Sequence, residues 1–126
     1  MNAPIAVRLI ITLLLLAAIV TISVVPGRPQ PGDSVFVWLV SVTPTPLQKL
    51  MHFITYAVLA MLLMWSFERI NSTSLRIVLA LAVTVTLGSF LEWYQTSVPG
   101  RFGTLADAIL NAIGATVGVL VATLLL

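Results

Sequence analysis

Cysteine is missing from this 126-residue chain, histidine occurs once, and charged residues make up only 8% of it. Without cysteine there is no disulfide, thiolate metal site or cysteine nucleophile. The scarcity of charge excludes more. Soluble domains carry roughly a quarter charged residues and about half apolar ones. Here 60% are hydrophobic and the mean hydropathy is +1.13, a composition suited to an integral membrane protein of several helices. The formal net charge of +2 does not point to nucleic acid. The basic residues stand singly in apolar sequence, with no basic run to follow a phosphate backbone. P-loop, nucleophile-elbow, His-x-x-x-His and Gly-x-Gly-x-x-Gly patterns are also absent, and no cofactor is expected.

What the chain does have is long apolar runs. A spanning helix needs about 20 predominantly apolar residues, and four stretches qualify: about 5–25, 46–67, 75–98 and 105–126. The first outlasts the h-region of a signal peptide (roughly 7–15 residues) and lacks a small-residue cleavage site, so it reads as a retained span. "TPLQ" opens the second, with Thr45 as N-cap, Pro46 at the first helical position and Gln48 closing a capping box. "ERINSTS" makes a short turn, "PGRFG" stops the third span, and "TLAD" opens the fourth after Thr104. The expected fold is all-α: a single-domain four-helix transmembrane bundle over residues 1–126, with a Pro-rich loop after the first helix. That loop carries "VFVWLVSV", whose Trp38 suits the headgroup level.

Four spans put both termini on one side. Arg8, Arg69 and Arg76 then share a face, and Arg28, Lys49 and Arg101 share the other. The terminal amine and the tight second turn tip this even tally toward cytoplasmic termini. Trp65 and Phe67 read as interfacial belt residues on the inner side.

Polar residues are placed with more order than charge scarcity alone requires. Positions three and four apart share a helical face. By that rule Lys49, His52 and Tyr56 form one stripe, Gly88, Glu92 and Gln95 a second, and Asp107, Asn111, Gly114 and Gly118 a third. At ~1.5 Å per residue, His52, Glu92 and Asn111 all lie roughly 9 Å below the outer face, with Lys49, Gln95 and Asp107 about 4–5 Å below it. Ionisable residues in spans face the bundle interior or a wet cavity, so the stripes should converge on a polar pocket in its outer half. The inner half should be plain apolar packing. Gly114 and Gly118, spaced as GxxxG, would let a neighbouring helix approach closely.

Each residue has a bland role beside a sharper one. Asp107 sits where a capping-box acid would sit, favoured by the helix dipole. Glu92 could be one half of an ion pair with Arg101, Lys49 or protonated His52, though buried pairs add little stability over apolar packing. His52 could be an ordinary buried histidine or, oriented by Glu92, a general base. His52, Glu92 and Asp107 are possible ligands of a borderline cation, but nothing fixes their spacing and no metal is expected. Arg101, after a Pro-Gly turn, suits a lipid headgroup or phosphate. Asn111 reads as an interhelical hydrogen-bonding residue.

The chain resembles the VanZ-like family of small bacterial membrane proteins. Two blocks carry the resemblance. "KLMHFITYAVLA" matches Lys-x-x-His-Phe…Tyr…Leu through Lys49, His52, Phe53, Tyr56 and Leu59. "EWYQTSVPGRFGTLADAILNAIGATVG" matches Glu-x-x-Gln…Pro-Gly-Arg…Asp…Asn…Gly through Glu92, Gln95, Pro99, Gly100, Arg101, Asp107, Asn111 and Gly114. The resemblance implies a bacterial cytoplasmic membrane and an envelope-related role, the family being named for a protein implicated in resistance to teicoplanin, a lipid-tailed glycopeptide.

Three functions fit these readings. In the first, Lys49, His52, Tyr56, Glu92, Gln95, Arg101, Asp107 and Asn111 bind an amphiphile: a membrane lipid, a lipid-linked envelope precursor or a lipoglycopeptide. In the second, His52 and Glu92 form the catalytic pair of an enzyme acting on a phosphate- or sugar-bearing lipid, with Arg101 and Lys49 stabilising negative charge. In the third, the polar groups are a structural network in a partner-binding bundle.

Overall fold

The computed structural model describes residues 3–23, 32, 34, 35, 45–95, 97 and 105–125. Among these it contains four helices and no strand: α1, Ile5–Ser23; α2, Thr45–Ser66; α3, Thr73–Gln95; and α4, Leu105–Leu125. All four are long and apolar enough to cross a membrane, so the all-α, four-span expectation holds. Apart from residues 32, 34 and 35, the Pro-rich connection with its Trp38 segment lies outside the described residues, as do the side chain of Thr45 and all of Thr104, and with them both expected capping boxes.

Only α3 departs appreciably from its expected limits, beginning at Thr73 rather than near 75 and ending at Gln95 rather than near 98. Its start has a local cause. The Ser72 hydroxyl accepts the Leu75 N–H at 3.2 Å, and the Ser72 carbonyl accepts the Arg76 N–H at 3.1 Å. Ser72 is therefore the N-cap, satisfying donors that the first helical turn leaves open.

The bundle is organised around α2 and α4. Small residues make this possible. A Cβ built on Gly114 would sit 2.6 Å from the Phe53 carbonyl oxygen, and one on Gly118 would sit 2.1 Å from that of Ala57. The GxxxG stripe therefore faces two carbonyls one turn apart on α2, an approach no side chain would permit. Beneath this seam lies an apolar core of Leu59, Ala60, Leu63 and Met64 from α2, Ala80 and Leu91 from α3, and Ala115, Val119 and Ala122 from α4. Helix α3 closes the core against α4 and α2, while α1 packs chiefly on α2 and contributes Ile19. Ile10, Leu13, Leu14, Val78, Leu120 and Leu124 point outward, as side chains facing lipid hydrocarbon do.

The expected plain apolar inner half is corrected at its very end. There Arg8 of α1 forms an ion pair with Glu68, donates through Nη1 to the Trp65 carbonyl at 3.0 Å, and stacks 5.0 Å from the centroid of the Trp65 ring. One turn further in, the hydroxyls of Thr12 and Ser66 lie 3.1 Å apart in a buried contact. A cation at the C-terminus of α2 also meets the negative end of its dipole. Trp65 is thus half of a latch as well as an interfacial ring. Phe67, expected in the interfacial belt, is partly buried against the core.

Candidate functional site

The site lies at the opposite end of the bundle from the latch. Its floor is where three helices meet at Gly88. A Cβ at this glycine would lie 3.2 Å from Cε1 of Tyr56 and 3.3 Å from Cβ of Asn111. The missing side chain on α3 makes room for a phenol from α2 and an amide from α4. One turn outward from Gly88 comes Glu92, then Gln95, both buried. Glu92 is within electrostatic reach of Tyr56. Tyr56, Glu92, Gln95 and Asn111 therefore form a buried polar set in the outer half of the bundle.

Asn111 differs from the interhelical hydrogen-bonding role expected of it. Its side chain is enclosed, with the residue 2% exposed, yet neither Nδ2 nor Oδ1 has a hydrogen-bond partner among the described residues. Leaving a buried donor or acceptor unpaired costs roughly 1–3 kcal/mol. His52, Glu92, Gln95 and Asp107, by contrast, are all engaged in polar, ionic or ring contacts. The Asn111 amide thus has hydrogen-bonding capacity to spare among the described residues.

Nearer the surface, Lys49 Nζ lies 3.8 Å from the Asp107 carboxylate. These are two of the three residues expected in the shallower layer. Asp107 also occupies the first turn of α4, so its charge is compensated by the helix dipole as well as by Lys49. Lys49 is half exposed at its side chain, which makes the pair a rim feature of modest energy. Arg101 and its Pro-Gly turn lie outside the described residues.

His52 is partly buried, its ring edge-on to that of Tyr56 with centroids 6.4 Å apart. Both residues also line a groove of about 150 Å³ between α1 and α2, together with Leu15, Ala18, Ile19, Ile22, Met51 and Thr55. The α2 stripe therefore has two sides: Tyr56 reaches the polar floor, and His52 with Tyr56 borders an apolar slot. Among the described residues no three His, Asp or Glu side chains come together as metal ligands, so His52, Glu92 and Asp107 do not converge on a cation.

Taken by charge, the described part of the site is not an anion trap. Lys49 is matched by Asp107, and Glu92 adds a carboxylate deeper in. What dominates is hydrogen-bonding capacity: a phenol, an imidazole, two primary amides and carboxylates. Such a set suits hydroxyl-rich or mixed polar groups better than a bare anion.

Sequence reasoning missed the Arg8–Glu68–Trp65 latch and the groove. The first joins residues sixty positions apart, and the second is a gap between two helices whose apolar faces look like any lipid-facing surface. The only early signal for the latch was an arginine in an otherwise apolar first span.

No curated protein matches the chain, and no solved structure matches it. The model of the family described as VanZ/LLP1 matches residues 5–126. With four helices that can each cross a bilayer, the chain is a multi-pass membrane protein and belongs to the VanZ/LLP1 family.

Proposed function

We propose that this protein binds the polar head of an amphiphilic envelope lipid in the outer half of its helix bundle. The observation that carries this reading is the buried Asn111 amide at the junction of three helices, without a hydrogen-bond partner among the described residues. A structural network would satisfy its own members, because a half-satisfied buried network is worse than an apolar one. A buried amide at the Gly88 junction with Tyr56, without a partner among the described residues, is a group that a hydroxyl- or amide-bearing head would satisfy on entering the bundle. Arg101, which precedes α4 in the sequence, would take a phosphate or another anionic group of the same molecule.

In this reading the protein resides in the bacterial cytoplasmic membrane with both termini inside, and the pocket opens toward the outer leaflet. The resistance to teicoplanin associated with VanZ-type proteins would then follow from competition or exchange between the native lipid and the antibiotic's lipid-tailed scaffold at this pocket.

The test is analysis of the lipids that accompany the purified protein. Wild-type protein should retain one head-group class well above its abundance in the source membrane. His52→Ala and Arg101→Ala should lose that enrichment while keeping their helical content. Lipids matching bulk membrane composition in all three proteins would rule the proposal out.

A further inference from the structure

We infer that the groove between α1 and α2 seats an acyl chain of the bound lipid, so that the molecule enters sideways from the bilayer between these two helices. The inference rests on the head-group reading above and adds where the rest of the ligand goes.

Four observations converge on it. The groove is apolar along α1, where Leu15, Ala18, Ile19 and Ile22 form its wall. Its α2 wall ends in His52 and Tyr56, the two residues shared with the polar stripe. A molecule whose tail lay in the groove would thus present its head to the pocket with no gap between the two. A cavity of about 150 Å³ takes a benzene-sized apolar guest, roughly six carbons, which fits the upper part of one chain while the remainder stays in the bilayer. Both walls lie within segments long and apolar enough to span the membrane, so the surroundings of the slot are lipid hydrocarbon.

The attachment of α1 explains why an opening lies there. Helix α1 is clasped to α2 at its inner end by Arg8 with Glu68 and Trp65, and by Thr12 with Ser66. Further out, Ile19 joins the buried core and Leu15 and Leu16 pack against it. The helix is pinned at one end and flanks an apolar gap at the other, the arrangement a lateral portal requires. The α2–α4 seam, with Gly114 and Gly118 against backbone carbonyls, has no such room.

Photolabelling reads this directly. Wild-type protein is reconstituted in phosphatidylcholine vesicles containing a little phosphatidylglycerol with a diazirine in the upper half of one chain. Adducts are mapped by mass spectrometry after irradiation. Ile109 and Ile113, exposed on the outer half of α4, report ordinary contact with surrounding lipid. Adducts on Leu15, Ala18, Ile22, Met51 or Thr55 should exceed those on Ile109 and Ile113 severalfold, and Ala18→Trp, which fills the groove, should bring them to the reference level. Equal labelling of groove and reference in the wild type overturns the inference, whether or not Ala18→Trp folds. The head-group reading fails separately. Groove labelling that is the same with a phosphatidylcholine probe and unchanged by Asn111→Leu would leave the chain seat standing without a head-group pocket. Selective lipid retention with an unlabelled groove would leave the pocket standing without the seat.

Discussion

Gly88 on α3 and Asn111 on α4 are in such close register that a Cβ on the glycine would come within 3.3 Å of the Asn111 Cβ. The asparagine's amide is enclosed there without a hydrogen bond among the described residues. Polar atoms are thus placed at a close junction of helices with no hydrogen-bond partner among the described residues.

The first prediction concerns that amide. Asn111→Leu removes an unpaired polar group and leaves no partner orphaned, a change that can be neutral or stabilising. Its melting temperature in detergent should equal or exceed that of the wild type, while selective lipid retention falls. A clear loss of stability would show that the amide is satisfied in the folded protein and serves the scaffold.

The glycine seam predicts a graded series. A Cβ meets backbone oxygen at 2.1 Å at Gly118 and at 2.6 Å at Gly114, but side-chain carbons at 3.2–3.3 Å at Gly88. Backbone cannot rotate away as a side chain can. Gly118→Ala should therefore cost most, Gly114→Ala less and Gly88→Ala least, with overpacking costs of about 1–3 kcal/mol for the two seam positions. Thermal unfolding in one detergent gives the order, and a reversed order would mean that α2 and α4 are not joined as described.

At the inner end, Arg8 and Glu68 should be energetically coupled. The Arg8 side chain is mostly buried and that of Glu68 partly exposed, so solvent screening keeps the pair's contribution to about 1 kcal/mol or less. Thr12 with Ser66 should add about 0.6 kcal/mol, the average for interhelical polar contacts in a membrane bundle. Double-mutant cycles with Arg8→Met and Glu68→Gln, then Thr12→Val and Ser66→Ala, measure both. Coupling at either pair indistinguishable from zero would remove that pair from the latch.

Much of this architecture was legible in the sequence, because bilayer thickness fixes helix length and charge scarcity makes each polar residue conspicuous. The apolar runs marked the spans to within a few residues, and Gly114 and Gly118 announced the close seam. The spacing of Lys49 and Asp107 put them at one depth, where they lie 3.8 Å apart. What sequence could not supply was pairing between helices. Nothing local to Arg8 names Glu68 and Trp65 as its partners. Asn111 looked like an interhelical hydrogen-bonding residue because buried amides usually are; its isolation depends on how three helices meet.

Glu92→Gln separates binding from catalysis. The change is nearly isosteric and keeps an acceptor oxygen, so a binding protein should retain its lipid with at most a modest loss. An acid–base enzyme would instead lose activity by a factor on the order of 10²–10⁴. Assaying the retained lipid for turnover, with wild-type and variant protein side by side, decides between these outcomes.

The most direct test of the central claim is native mass spectrometry of the wild-type protein released from its own membranes, beside Asn111→Leu prepared in the same way. A bound mass corresponding to one lipid class on the wild type, absent from an equally folded Asn111→Leu, is the predicted result. The same mixture of ordinary phospholipids on both proteins would contradict it.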